Sequence, residues 1–214
     1  MINNSKPILA VTMGDPAGIG PEIAVKAFAE KQVYEQCRPI LMGNAEVLRQ
    51  IMAVIGIRLA LNAITSVDQA RFEWGTIDVL DHELEGGASA LRWGEVNARY
   101  GDLAFRCVVS AIRLALEGKV DATVTGPIHK AAINAAGHHF SGHTEIYAHY
   151  TGTRKYGMLL ADEHLKVIHV STHVSLRQAI DLVKKPRIME VVRLMDTALR
   201  QMGVENPLIG VAGL

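Results

Sequence analysis

PILAVTMGDPAGIGPE, residues 7–22, carries strand, turn and helix signals one after another. The apolar run at 7–12 predicts a buried strand, and the glycines that follow it predict a tight turn. A helix is expected to begin near Pro21, because proline is favoured in the first turn of a helix. We therefore expect the chain to open with the strand–turn–helix unit that is typical of α/β proteins.

The same alternation of strand and helix continues along the rest of the sequence. Strands are predicted at 39–42, 76–80, 120–125, 156–161 and 166–170, and helices at 45–55, 94–117 and 186–202, with a polar stretch at 62–75. The two long helices have apolar residues at the spacing of an inward face. These faces are expected to carry Ala104, Cys107, Val108, Ala111, Leu114 and Ala115 in the first and Ile188, Val191, Val192, Met195, Leu199 and Met202 in the second. The pattern predicts an α/β layered fold with a largely parallel sheet.

At 214 residues the chain could be one large domain or two small ones. The sequence has no internal repeat and no Ser/Pro linker, and in a two-domain chain we expect the crossing near 126–140. This gives a first α/β domain at 1–130 and a second at 131–214. Residues 207–214, PLIGVAGL, predict a strand without a polar tail after it, whereas natural C-termini are more often polar. The pattern favours a chain that continues in the intact protein; the alternative is an edge strand that ends it.

Charge and composition exclude several classes of protein. Lys plus Arg and Asp plus Glu both number 22, and the resulting formal net charge of zero argues against nucleic-acid binding. No segment approaches the ~18 apolar residues of a membrane span. The two cysteines, Cys37 and Cys107, form no CxxC pair, which favours the reducing cytoplasm over a disulfide framework. A neutral chain can still bind an anionic small molecule in a local pocket.

The first candidate motif is Gly14–Glu22, between the first predicted strand and the first predicted helix. Glycines permit close approach of the backbone to a ligand, and a helix N-terminus offers free N–H groups. The segment lacks the Gly-Lys-Ser/Thr of a P-loop and the GxGxxG order of a Rossmann fingerprint. It is either a ligand-facing loop or a purely structural turn, and its residues alone favour neither.

The second motif is Thr125–Lys130, TGPIHK, just beyond another predicted strand. Ligands of α/β proteins bind at the carboxyl ends of the strands. Lys130 and His129 would suit a phosphate or carboxylate there. The alternative is a solvated first turn of a helix, above all for His129.

The third motif, Ser141–Glu145, has the sequence SGHTE. His143 and Thr144 can each hydrogen-bond a phosphate or a hydroxyl group. Ser141 can also be read as the N-cap of a helix that begins there. The two interpretations are compatible.

The fourth motif is the polar end of a predicted strand, VIHVSTH at 167–173. On an alternating strand His169, Ser171 and His173 would share one face. His173 is a candidate metal ligand, but one or two histidines do not make a metal site, since three or more ligands are usual. A histidine at the rim of the core is the alternative.

Together these motifs resemble the 4-hydroxythreonine-4-phosphate dehydrogenase family. VTMGDPAGIGPE, VTGPIHK, FSGHTE and VIHVSTHVSLR occur in the family's order, and the resemblance covers essentially the whole chain. It implies a two-domain α/β/α architecture similar to isocitrate and isopropylmalate dehydrogenases, a homodimer, and an active site in the cleft between domains. It also implies NAD, sometimes NADP, and one divalent metal, which is zinc, magnesium or cobalt.

The resemblance assigns roles to individual residues. It implies that His143 and Thr144 contact the substrate and that His173 is a metal ligand. Lys130 is a hypothesised catalytic residue, acting as an anion contact or proton-transfer group. The cofactor-binding residues stay unassigned. The family continues beyond residues 213–214 with a second and a third metal histidine, further substrate-binding residues and much of the cofactor site. With this C-terminal part missing, activity of the chain by itself is not expected.

The expected reaction is the oxidation and decarboxylation of a small phosphorylated hydroxy acid. The substrate would be 4-phosphohydroxy-L-threonine, in pyridoxal phosphate biosynthesis. Relatives with the same motifs act on D-threonate or D-erythronate 4-phosphate in sugar-acid catabolism. A non-catalytic phosphate-binding α/β fragment is the alternative from another class. A metal-dependent hydrolase would need a cluster of carboxylate and histidine ligands that the sequence does not show.

Overall fold

The computed structural model describes residues 6–213 and shows an α/β fold. The strands are β1 (Ile8–Thr12), β2 (Arg38–Gly43), β3 (Ala60–Ile64), β4 (Thr76–Asp81), β5 (Ala122–Thr125), β6 (Leu159–Ala161) and β7 (Lys166–Ile168). The helices are α1 (Gly20–Ala29), α2 (Lys31–Gln36), α3 (Ala45–Ile55), α4 (Ala98–Leu116), α5 (Lys130–Ala135), α6 (His143–Thr151), α7 (Leu176–Leu182) and α8 (Lys185–Gln201). The predicted fold class is confirmed.

Five strands form one parallel sheet in the order β3-β4-β2-β1-β5. The chain moves outward from β1 to β2 on one side and later adds β5 on the other side. Ala10 of β1 therefore pairs with Ile40 of β2 and with Thr123 of β5. The order of a parallel sheet reverses at such a strand, and the crevice beyond the carboxyl ends there is where α/β proteins bind ligands.

The first unit is held together by α4, the longest helix, which packs on β1, β2 and β5. Asn97 caps this helix by accepting a hydrogen bond from the Arg99 N–H at 3.0 Å, so α4 begins later than the predicted residue 94. Most of its predicted inward face is confirmed. Four positions are buried, Leu114 is half-buried and Ala115 is exposed; the buried four are Ala104, Cys107, Val108 and Ala111.

Helices α5 and α6 also pack against α4. An apolar cluster joins the three helices and consists of Phe105, Val108, Val109, Ile112, Ile133 and Ile146. The chain divides into two compact units after Thr151. This point differs from the predicted boundary at 130/131, because the cluster ties 131–151 to the first unit. The domain division of the whole protein stays a prediction.

The second unit starts at Gly152 and contains a two-stranded antiparallel sheet with two helices. Leu159 of β6 pairs with Ile168 of β7. Helix α8 begins with Pro186 in its first turn and buries three of its predicted inward residues, Val191, Met195 and Leu199. Met202, predicted on the same face, is 53% exposed because it follows the last helical residue.

Three sequence expectations differ from the structure, and one of them, a strand at 207–213, is wrong. The polar stretch at 62–75 overlaps β3, whose pairing with β4 is reinforced by a 2.7 Å hydrogen bond from Asn62 to the buried Asp78. The strand predicted at 166–170 ends at Ile168. The residues predicted as a strand at 207–213 form none, since a strand needs a neighbour and the described chain offers no partner there. Residue 214 lies outside the described residues. No helix within residues 6–213 is long and apolar enough to cross a membrane.

Candidate active site

The first and second motifs meet at the carboxyl ends of β1 and β5. The Gly126 N–H donates to the Thr12 carbonyl at 2.9 Å, and the Asp15 N–H donates to the Pro127 carbonyl at 2.9 Å. The Thr12 hydroxyl also accepts from the Gly126 N–H, at 3.1 Å. The two loops are therefore joined by their backbones at the place where the sheet order reverses.

Two glycines make this close approach possible. A Cβ atom on Gly14 would lie 2.4 Å from the Pro127 carbonyl oxygen, and Gly14 also has a φ of +80°. A Cβ atom on Gly126 would lie 2.5 Å from the Thr12 carbonyl oxygen. Both distances are too short for any side chain to be accommodated without backbone movement. Hence these glycines have a structural role in joining the two motifs, whichever ligand the loops face.

Asp15 is part of this junction, directly after Gly14, and its side chain is buried, with 5% of the residue exposed. Its Oδ1 accepts a hydrogen bond from the Ala17 N–H at 2.8 Å. Burial raises the pKa of Asp15, although that hydrogen bond and the nearby His129 oppose the shift. A cavity of about 180 Å³ borders Asp15, Ile19 and His129. The arrangement adds a buried carboxylate to the motif, a feature that the sequence did not single out.

The structure places His129 and Lys130 at the start of α5, as the second motif predicted. His129 is the N-cap residue, and its Nδ1 accepts from the Ala132 N–H at 3.4 Å. This supports the structural interpretation of His129. Lys130 is exposed, and its Cε atom would lie 3.8 Å from a Cβ atom built on Gly142. The ammonium group therefore lies on the side of the third motif.

His143 is the first residue of α6 and connects the third motif to the second through a hydrogen bond to the Gly126 backbone. Burial lowers the pKa of His143, and the bond to Gly126 opposes part of this shift. The ring is therefore neutral at pH 7. Its Nε2 atom is buried and has no hydrogen-bond partner within the described part of the chain.

The chemistry of His143 follows from these contacts. A neutral imidazole carries its hydrogen on one nitrogen and accepts at the other, so Nε2 can serve as an acceptor. A buried acceptor without a partner is costly, and a ligand O–H would satisfy it. The half-buried Thr144 follows directly with a hydroxyl group.

The fourth motif is arranged differently from its prediction. Strand β7 ends at Ile168, so His169, Ser171 and His173 do not alternate along one strand face. His173 is exposed and has a φ of +57°, in the left-handed region. Among residues 6–213 no three or more His, Cys, Asp or Glu side chains are grouped closely enough to hold a metal ion. His173 therefore belongs to no such group within residues 6–213.

Sequence reasoning missed a contact between α4 and the segment before α6. His138 Nε2 and Asp102 Oδ1 are 3.0 Å apart, and Arg106 Nε donates to Asp102 Oδ2 at 2.7 Å. The Asp102–Arg106 pair has the i, i+4 spacing of a helical ion pair and could have been found in the sequence. His138 could not, because it lies 36 residues away from Asp102 along the chain.

Comparison with known proteins identifies the family. The sequence model described as "Pyridoxal phosphate biosynthetic protein PdxA" matches residues 35–214, which contain three of the four motifs. The chain belongs to the PdxA family. The expected resemblance is thereby confirmed, since curated and solved relatives carry the name of a dehydrogenase.

Three PdxA relatives illustrate the similarity. The D-threonate 4-phosphate dehydrogenase of Salmonella typhimurium is 44% identical over 207 residues, which are 96% of this chain and 63% of the relative. A crystal structure of 4-hydroxythreonine-4-phosphate dehydrogenase from Klebsiella pneumoniae superposes with a TM-score of 0.87 at 46% identity, covering 96% of this chain and 62% of that one. The enzyme of the same name from Burkholderia phymatum gives 0.86 at 38% identity, covering 98% and 63%. The chain thus spans just under two thirds of the length of its relatives.

Proposed function

We propose that this chain is the larger part of an NAD- and divalent-metal-dependent dehydrogenase that oxidises and decarboxylates a phosphorylated four-carbon hydroxy acid. Membership of the PdxA family supports the reaction class. The observation that carries the proposal within the chain is the buried, unpartnered Nε2 of His143. Thr144 follows it in the sequence, and the Lys130 side chain lies against the preceding turn at Gly142. These groups match a substrate with a hydroxyl group and a phosphate.

In the proposed reaction the substrate's secondary hydroxyl group donates its hydrogen bond to His143 Nε2. This contact holds the hydroxyl oxygen in one orientation and provides an acceptor for its proton as the carbon gives up a hydride. The oxidised product is a β-keto acid, which loses carbon dioxide from its carboxylate. A neutral imidazole suits this role, because a protonated ring could not accept the hydroxyl proton.

The phosphate group would be bound by Thr144 and Lys130. Charge-assisted hydrogen bonds from an ammonium group to phosphate are stronger than neutral ones. Lys130 is exposed in the ligand-free chain, and the turn of chain that contains Gly142 lies against its aliphatic stem. Binding of an anion there would order a long side chain that is otherwise solvated.

The described residues do not form a complete site for the metal, and the cavity beside Asp15 is small for a dinucleotide. His173 is a proposed metal ligand, but residues 6–213 contain no group of three ligands. The cavity of about 180 Å³ beside Asp15 lies below the roughly 300–1,000 Å³ of typical ligand pockets. NAD as hydride acceptor and a zinc, magnesium or cobalt ion are proposed from the family alone.

Two substrates compete for the assignment. D-threonate 4-phosphate is named for curated relatives, and 4-hydroxythreonine 4-phosphate is named for solved structures. Both present a phosphate, a hydroxyl group and a carboxylate, so the groups around His143 do not discriminate between them. We also propose that the whole enzyme is a homodimer of the cytoplasm, where the two buried free cysteines would stay reduced.

The test is NADH formation from 4-phosphohydroxy-L-threonine, D-threonate 4-phosphate and D-erythronate 4-phosphate, each with and without added divalent metal. It is run on this chain and on a chain of the full length of the relatives. Metal-dependent turnover of one substrate by the longer chain is the expected result, and the preferred substrate assigns the pathway.

The non-catalytic alternative gives a different pattern in the same test. A phosphate-binding fragment would bind the three acids in calorimetry without turnover in either chain length. Wild-type turnover and wild-type affinity in Thr144→Val would contradict the proposed phosphate contact. If the long chain formed no NADH with any of the three acids, the dehydrogenase proposal itself would be contradicted.

A further inference from the structure

The segment that leads into the proposed substrate residues is a short turn between α5 and α6, residues 136–142, here called the α5–α6 turn. Its backbone is tied to α5 by a hydrogen bond from the His138 N–H to the Ile133 carbonyl at 3.0 Å, and Gly137 has a φ of +86°. His143 and Thr144 follow the turn immediately. The direction in which they enter α6 therefore depends on how the turn is held.

His138 holds the turn against α4 by two contacts of different kinds. Its ring stacks on Phe105 with centroids 3.7 Å apart and planes 12° apart. Its Nε2 atom lies 3.0 Å from Asp102 Oδ1. The stacking fixes the plane of the ring, and the hydrogen bond fixes its rotation within that plane, so the side chain has one position on the helix.

The partner of His138 is itself fixed. Asp102 shares its two oxygens between His138 and Arg106, and Arg106 also donates to the Glu83 carbonyl at 2.6 Å. Burial alone raises the pKa of Asp102, but the hydrogen bonds with His138 and Arg106 outweigh it and keep the carboxyl ionised. The charged oxygen that accepts from His138 is thus held in place on α4 by the contacts of Asp102 with Arg106.

A second contact supports the same turn. Phe140 stacks on Phe105 at 5.7 Å, and the Asn134 amide donates to the Phe140 carbonyl at 3.3 Å. The apolar packing of Ile133 and Ile146, both fully buried, anchors α5 and α6 as elements. The His138–Asp102 pair is partly exposed, with side chains 26% and 41% accessible, and such pairs contribute little to the free energy of unfolding.

We propose that His138, through Asp102 and Phe105, is a positioning residue of the substrate site, which sets the orientation of His143 and Thr144. The inference rests on the proposed function, because it gives a role to a residue that touches neither substrate nor cofactor. Small displacements of binding groups reduce affinity and rate strongly, whereas the fold tolerates them. Substitution of His138 should therefore weaken ligand binding without a matching loss of stability.

The test compares His138→Leu, His138→Gln and Asp102→Asn with the matched control His139→Leu, a substitution at the exposed neighbouring histidine. Calorimetry measures the Kd of each variant, made in a chain of the full length of the relatives, for D-threonate 4-phosphate and 4-phosphohydroxy-L-threonine. Hydrogen exchange measures the amides of residues 138–147. Thermal unfolding measures stability. Glutamine can place its amide N–H near the position of Nε2 and donate to Asp102, and so should restore function.

The expected result is a rise in Kd of about 10-fold in His138→Leu and Asp102→Asn. Faster exchange should be confined to 138–147, and His138→Gln and His139→Leu should stay within about 3-fold of the wild type. A wild-type Kd in His138→Leu would overturn the inference while leaving the proposed function intact. A rise in Kd that follows the loss of thermal stability, without rescue by glutamine, would overturn it too. Failure of the wild-type chain to bind either acid would count against the proposed function and remove the site that His138 is said to position.

Discussion

The junction of β1 and β5 and the loop after β7 both carry candidate site residues, but the chain holds them in different ways. At the junction, backbone hydrogen bonds join Gly126 to Thr12 and Asp15 to Pro127, and the close contacts of Gly14 and Gly126 leave no room for a side chain. His143 meets the Gly126 backbone from the start of α6. In the loop after β7, His173 is exposed and follows a strand of only three residues. The first region is preformed within this chain, and the second is not.

The difference shows which part of a binding site can be read from a chain that spans just under two thirds of the length of its relatives. The parallel sheet and α4 complete the packing around His143 with residues that the chain contains. A metal site needs ligands from several segments, and the described residues supply no such group around His173. Geometry therefore supports the substrate contacts, while the metal assignment of His173 stays a prediction from the family.

The largest expected effect is at Gly14. Gly14→Ala places a Cβ atom 2.4 Å from the Pro127 carbonyl oxygen at a φ of +80°, so the two loops must separate. We expect the free energy of unfolding to fall by about 3 kcal/mol or more, measured by urea denaturation. Gly118→Ala is the matched control, since Gly118 has a φ of +67° with no atom within 4 Å of the added Cβ. It should cost only about 1–2 kcal/mol. Equal losses would show that backbone conformation, and not the contact between the motifs, governs stability here.

The next effect concerns ligand binding at His143. Asparagine places its amide near the position of Nδ1 and so can keep the bond to Gly126, but it has no atom at the position of Nε2. We expect His143→Asn to raise the Kd for a phosphorylated hydroxy acid by about 10- to 100-fold, measured by calorimetry. His143→Gln, which reaches the Nε2 position, should lose less. The same loss in both variants would contradict the role given to Nε2.

The sequence predicts some helices and strands of this structure correctly and misses others. Helix α3 has its predicted bounds, 45–55. The structure shows that both ends are set locally, since Asn44 accepts a hydrogen bond from the Val47 N–H and Gly56 ends the helix with a φ of +72°. Strand β3 was not predicted, because the polar Asn62 argues against a buried strand. Its side chain is accommodated by a hydrogen bond to Asp78, which lies 16 residues further along the chain. The strand predicted at 207–213 had the right composition but no neighbour in the described chain. Local signals were thus sufficient to predict individual helices and strands, but not to predict how the strands pair.

The same limit applies to the site. The motifs at Thr125–Lys130 and Ser141–Glu145 were recognised as polar residues beyond strands or at helix starts. That His143 binds the Gly126 backbone, and that His138 pairs with Asp102, depends on how α5 and α6 fold back on α4. No spacing in the sequence encodes these contacts. The sequence predicted which residues belong to the site, and only the structure shows which residues they contact.

A smaller effect is expected in the pH dependence of stability. Burial lowers the pKa of His143 in the folded chain, so the unfolded chain binds a proton first as the pH falls. The stabilising contribution is complete above the ordinary histidine pKa of about 6.5 and is lost below it. We expect unfolding free energies measured between about pH 7.5 and pH 5.5 to decline less in His143→Asn than in the wild type. Some decline should remain, because burial and Arg106 lower the pKa of His82 in the same direction. Identical slopes in the two chains would contradict the buried neutral state of His143.

The smallest expected effect is at His173, and it tests the loop after β7. Asparagine tolerates the left-handed conformation better than most residues, so His173→Asn at a φ of +57° should change the free energy of unfolding by less than about 0.5 kcal/mol. His173→Val should cost about 1–2 kcal/mol, because a β-branched side chain is strained in that conformation. Urea denaturation of both variants separates the backbone requirement from the side chain. If His173→Asn destabilised the chain as much as His173→Val, the imidazole would have to make stabilising contacts of its own. The contrast between a preformed junction and an unsupported ligand would then fail.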